Sequence, residues 1–181
     1  MKVCGSCTEC CTVIPVKELQ KAQFTRCAKL HSIPHKDGPG CGIYPVRPVS
    51  CRMWKCVWLR TPEMPDEYRP DRVGFIIDEV KDLIAINGKE MVAAQIWAAP
   101  GSEDAWCEEA AHRCIQALLE QRHCKAVLWR QRDMMCRAFY FGEGGGIIVT
   151  EPNPVKENFA TILGDEEERA RKLRRLTGVE R

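Results

Sequence analysis

Eight cysteines fall between positions 4 and 56: Cys4, Cys7, Cys10, Cys11, Cys27, Cys41, Cys51 and Cys56. The other four (Cys107, Cys114, Cys124 and Cys136) are spread singly over the rest of the chain. A segment this rich in thiols and this poor in periodic apolar runs buries too little surface to order itself. The stretch from His35 to Pro48 reads HKDGPGCGIYPVRP; proline removes backbone donors there and glycine raises chain entropy. A bound metal supplies the missing stabilisation, on the order of 10 kcal/mol apparent for a structural zinc.

Redox compartment decides between metal and disulfides. The N-terminal MKVCGSCTECCTVIPVKE has no apolar stretch of the kind a secretory signal needs, and no run approaches the ~18 apolar residues of a membrane span. The expected setting is the cytoplasm, where thiols stay reduced and clustered cysteines more often bind metal than pair covalently. A net charge of +2 on 181 residues gives no reason to expect nucleic acid or an anionic membrane as a partner. The sequence names no protein partner; the expected partner is a metal ion.

The opening, Cys4-x2-Cys7-x2-Cys10-Cys11, carries the metal chemistry. Two cysteines separated by two residues can turn back on one ion, because the short loop brings both sulfurs to ~2.3 Å from it. The adjacent Cys10 and Cys11 point in two directions, so the remote Cys27, Cys41, Cys51 and Cys56 are needed to complete the coordination. A ferredoxin run would continue to a further cysteine followed by proline, and this chain does not. Eight thiolates can fill two tetrahedral zinc sites; alternatively, four can hold one [4Fe–4S] cluster. Zinc or an iron–sulfur cluster is therefore the expected cofactor, with the choice open.

Several segments carry a resemblance: CxxCxxCC at 4–11, Cys27-Ala28-Lys29-Leu30, Gly40-Cys41-Gly42-Ile43-Tyr44, Arg47-Pro48 and Cys51-Arg52. In order and spacing the first third of the chain resembles the CxxCxxCC cysteine-cluster family, whose members are described as zinc- or iron-chelating. The later Arg69-Pro70-Asp71-Arg72-Val73-Gly74-Phe75 is similar to some longer members. The resemblance implies metal chelation by the first seven clustered cysteines; Cys56 lies outside the family pattern and rests on its own position. A related branch contains flagellin lysine methylases, but this chain is short for it and shows no obvious S-adenosylmethionine site.

Other residues have weaker claims. His31 and His35 are possible substitute ligands that more often stand exposed in such loops. Arg47 and Arg52 are placed to offset thiolate charge, and Tyr44 to exclude water from the cluster. Cys107, Cys114, Cys124 and Cys136 read as small apolar core residues. The glycine run at 142–146 reads as a hairpin turn, since it lacks the Lys and hydroxyl of a phosphate loop.

The resulting reading is α+β: an irregular cysteine-rich metal module at 1–60, a small mostly antiparallel sheet with one main helix at 61–164, and a charged C-terminal helix or tail at 165–181. Within it, helices are expected over Pro15–Leu30 and Cys51–Leu59, and a linker over 61–71. Strands are expected over 73–80, 83–86, 91–98, 126–129, 137–141 and 146–150, with a turn at Asn87-Gly88 and a Ser102-capped helix over 103–122. The function expected is metal binding; an iron–sulfur redox protein or enzyme and a thiol-based redox sensor are the alternatives.

Overall fold

The computed structural model describes residues 2–4, 6–30, 40–86, 88–121, 124–154 and 171. By packing, the chain divides into two compact units, Met1–Asp78 with Trp97–Ala105, and Glu79–Ile96 with Trp106–Arg181. This division by contacts is a separate description from the division by cysteine density.

The first unit is built from short pieces. Its helices are α1 (Glu9–Val13), α2 (Val49–Met53), α3 (Val57–Arg60) and α4 (Pro70–Val73), joined by 3-10 turns at Lys17–Leu19, Tyr44–Val46 and Asp66–Tyr68. Proline sets the lengths. The residue before a proline is pushed out of helical geometry, and Ile14, Arg47 and Arg69, each followed by proline, all have ψ between 133° and 151°. α1 therefore stops at Val13.

The helix expected over Pro15–Leu30 does not form. Gln20 and Phe24 hold left-handed φ angles of 50° and 54°, which no helical ladder tolerates. The chain doubles back instead: Val16 and Lys21 form an antiparallel bridge, and the Phe24 N–H donates to Val13 O at 2.9 Å. What the return secures is burial, because Phe24 packs on Trp97 with ring centroids 5.8 Å apart and joins Val13 and Ile76 in an apolar cluster. The expected helix over Cys51–Leu59 is split into α2 and α3 by Trp54, which is extended at ψ 132°. Its indole N–H reaches Asp78 Oδ1 at 3.1 Å, a partner that a continuous helix would have turned it from. The expected linker at 61–71 is folded into the Asp66–Tyr68 turn and the start of α4.

Gly74 closes α4. Its φ of +74° is left-handed, and a Cβ there would lie 2.6 Å from Ser102 Oγ, so glycine is required on both counts.

The sheet has six strands: β1 (Phe75–Ile86), β2 (Lys89–Ala98), β3 (Ala126–Arg130), β4 (Met135–Phe141), β5 (Ile147–Val149) and β6 (Asn153–Pro154). They are ordered β1-β2-β3-β4-β5, with β6 also paired to β4. The two runs expected at 73–80 and 83–86 are one long strand, and β6 was not foreseen. Gly88, at φ +74°, makes the tight return between β1 and β2, a connection short enough to join only antiparallel neighbours. β4 pairs antiparallel with β3, β5 and β6. Between β5 and β6, Thr150 stands in for a strand residue: its N–H donates to Ala138 O at 3.0 Å, and its Oγ1 accepts the Ala138 N–H at 3.0 Å.

The core of the second unit obeys the two-residue period of strands. Ile84 and Ile86, Ala126 and Leu128, and Cys136 and Ala138 bury one face with Ala93. α5 (Glu109–Leu119) packs against β3 and β4, burying Ala111, Cys114, Ile115, Leu118 and Leu119. The helix starts later than expected, after a 3-10 turn at Ala105–Cys107, and Glu108 rather than Ser102 precedes it. Inside the sheet, buried Asp82 and Gln95 are satisfied by Arg130, which meets Asp82 Oδ2 at 2.9 Å and donates to Gln95 Oε1. Among the described residues the architecture is thus α+β: a mostly antiparallel sheet with one main helix, and a cysteine-rich N-terminal region. The helix or tail expected at 165–181 lies outside the described residues except for Arg171. Among the described residues no helix is long and apolar enough to cross a membrane.

Candidate metal centre

Backbone hydrogen bonds gather the clustered cysteines. The Cys7 N–H donates to Cys4 O at 3.0 Å and the Cys11 N–H to Thr8 O at 2.9 Å, so the CxxCxxCC opening coils directly into α1. The Cys27 N–H donates to Cys11 O at 2.9 Å, which lays the returning chain on α1. Leu30 bridges Cys41, and the Gly42 N–H donates to Lys29 O at 2.8 Å. Ser50 gives both its N–H (3.1 Å) and its hydroxyl (2.7 Å) to the Glu18 carboxylate, fixing α2 and hence Cys51. Cys56 sits at the entry to α3.

The outcome is one cavity of about 410 Å³ whose lining includes all eight: Cys4, Cys7, Cys10, Cys11, Cys27, Cys41, Cys51 and Cys56. All eight belong to the first unit, and all twelve cysteines of the chain are free thiols. Six basic side chains (Lys2, Lys21, Lys29, Arg47, Arg52 and Lys55) share the lining, and among the described residues no carboxylate does. Among the described residues, no three Cys, His, Asp or Glu side chains stand close enough around one point to hold an ion as placed. The donors fit a soft metal: thiolate is the ligand that selects zinc, copper(I) and iron–sulfur clusters.

Electrostatics differ around the ring. A thiol hydrogen bond from Cys10 brings Cys11 down to about 7 against the opposing effect of burial, with Lys21 and Arg47 helping. The same bond, with burial, holds Cys10 well above its ordinary value. Burial pushes Cys7 up to about 12 and raises Cys4, Cys41, Cys51 and Cys56 as well. Burial thus favours the neutral thiol at Cys4, Cys7, Cys41, Cys51 and Cys56, and a metal bound by those sulfurs displaces protons.

Lys21 was not singled out by its sequence, since a lone lysine in a polar stretch reads as solvated. It is only 8% exposed and donates to Ile14 O and, at 3.3 Å, to Ala22 O. Burial lowers its pKa, while the charges of Cys27, Cys11, Cys10 and Cys51 favour its protonated form. Asp78 was missed too: 5% exposed, it accepts the indole N–H groups of Trp54 (3.1 Å) and Trp97 (3.3 Å) behind the site.

Arg47, Arg52 and Tyr44 line the cavity, and the Arg47 guanidinium lies 3.9 Å from the Tyr44 ring centroid. His31 and His35 lie outside the described residues. Cys114, Cys124 and Cys136 are buried as expected, and Cys124 Sγ reaches Ala126 O at 3.0 Å. Cys107 is exposed instead, because the helix begins beyond it and no apolar face carries it inward. The glycine run is a turn, closed by the Gly142 N–H on Gly146 O at 2.8 Å.

Compared with protein-family models, curated proteins and solved structures, the chain matches none.

Proposed function

We propose that this protein binds metal through its N-terminal thiolates, as zinc or as an iron–sulfur cluster, in a reducing cytoplasm. The observation that carries the reading is the shared cavity: cysteines from five separate stretches, spread over residues 4 to 56, line one space together with six basic side chains and, among the described residues, no carboxylate. Eight thiolates around two divalent ions leave four negative charges, and a basic lining is what makes such a centre tolerable. A site for a hard cation would need oxygen donors instead. The resemblance of residues 4–52 to the cysteine-cluster family points the same way.

Elemental analysis with an absorption spectrum, on full-length protein purified anaerobically, tests the proposal. Colourless protein carrying zinc supports a structural or carrier role. Brown protein bleached by dithionite supports the iron–sulfur alternative, a redox protein or enzyme. Metal well below one atom per chain overturns the proposal and favours the thiol redox sensor, whose thiol count would fall with oxidant.

A further inference from the structure

We propose that the eight cysteines form two four-thiolate sets, Cys4, Cys7, Cys10 and Cys56 in one and Cys11, Cys27, Cys41 and Cys51 in the other, each holding its own metal. The inference rests on the metal-binding reading above and assigns the ligands within it.

The division begins at the adjacent pair. Cys10 and Cys11 are successive residues of α1, and successive side chains of a helix diverge by about 100°. One ion ringed by four sulfurs at ~2.3 Å would use only half of the thiols around a cavity of about 410 Å³.

The first set has a hollow of its own. A small space of about 20 Å³ is lined by Cys4, Cys7, Cys10 and Cys56 and by no other cysteine. Its remaining walls include Trp58, Pro70 and Ile76, so its lining is apolar. Cys10 and Cys56 also pack together against the Val13–Ile76–Trp97 cluster.

The second set is tied together by backbone. Cys27 is fixed on Cys11 by its N–H, and Cys41 is bridged to Leu30, three residues on. Ser50, held on the Glu18 carboxylate, fixes the neighbouring Cys51. All four of these cysteines line the larger cavity, and none of them lines the small hollow of the first set.

The binding step balances at each set: one divalent ion and four thiols give a tetrathiolate complex of charge −2 and four protons released to solvent. No oxidant or reductant is required.

The test uses full-length protein, reduced and metal-free under argon, titrated with cobalt(II) against a competing chelator. Native mass spectrometry counts the ions and thiolate-to-cobalt absorption reports the ligands. Wild type should take two cobalt ions. Cys7→Ala and Cys56→Ala should each keep one, and the double variant of those two should still keep one. Cys7→Ala with Cys27→Ala should keep none. Alkylation mapping of the Cys7→Ala protein needs no further variant: Cys11, Cys27, Cys41 and Cys51 should stay protected by cobalt while Cys4, Cys10 and Cys56 react. Loss of both ions from the Cys7/Cys56 double variant, or protection lost evenly over all remaining cysteines, overturns the division and leaves the metal reading intact. A wild type that binds no cobalt overturns both.

Discussion

In the second unit, alternate residues of four neighbouring strands bury a continuous apolar face while an eleven-residue helix packs on β3 and β4. In the first, no helix among the described residues exceeds five residues, and the apolar cluster is three buried side chains with a fringe of half-buried ones. Packing of a periodic apolar face is what usually stabilises secondary structure; the first unit has little of it and has eight thiols around a cavity instead. On the proposed metal reading the two parts of one chain are stabilised by different chemistry, and conditions that attack one should spare the other.

The sharpest way to break the comparison is to strip the metal. A strong chelator should abolish amide protection around α1, α2 and α3, a loss on the order of 10 kcal/mol, and leave β3 and β4 protected in hydrogen exchange. Cys7→Ser should reproduce part of that loss and lower metal content, whereas Cys114→Ser, in the buried face of α5, should leave metal content unchanged in elemental analysis. Loss of β3–β4 protection on chelation would show that the units share one stabilising centre.

A smaller effect is expected behind the site. Asp78→Ala takes the acceptor from two indoles and should cost about 3 kcal/mol in denaturant unfolding, followed by the fluorescence of Trp54 and Trp97. Asp78→Asn, which keeps one acceptor oxygen, should recover part of it.

Alkali should act on the second unit. Burial pushes Cys114 and Cys136 up to about 11 from 9.0. The folded state therefore favours the neutral thiol, and the stabilisation is complete below pH 9 and lost as pH rises through 11. The loss should be at most about 3 kcal/mol per group, and Cys114→Ala should remove its share of the slope between pH 9 and 11 in unfolding titrations. Smallest is Thr150→Val, which takes the hydroxyl acceptor from the Ala138 N–H and should cost about 1 kcal/mol.

Much of this comparison was legible in the residues themselves. Period-two runs and the glycine at 88 marked the sheet, and the spacing of Ala111, Cys114, Ile115 and Leu118 marked α5, because in both cases local pattern and tertiary burial agree. The first unit was misread where they conflict. Pro15 reads as a helix starter for residues 15–30, yet the packing of Phe24 on Trp97 and the return of Cys27 to Cys11 override it. The cysteine spacing identified the eight thiols but could not say that they share a space, since that depends on contacts such as Ser50 to Glu18, 32 residues apart. Lys21 and Asp78 were invisible for the same reason: a charged side chain reveals its burial only through distant partners. Cys107 misled because the helix start was placed too early, which put it on a face it does not occupy.

The most direct test of the central claim is a paired count on anaerobically purified full-length protein: metal atoms per chain, and reactive thiols after denaturation with chelator. The account predicts at least two metal atoms and all twelve thiols. A metal-free chain that retains hydrogen-exchange protection around α1 and α2, or one in which the eight N-terminal cysteines are missing from the thiol count as covalent pairs, would contradict it.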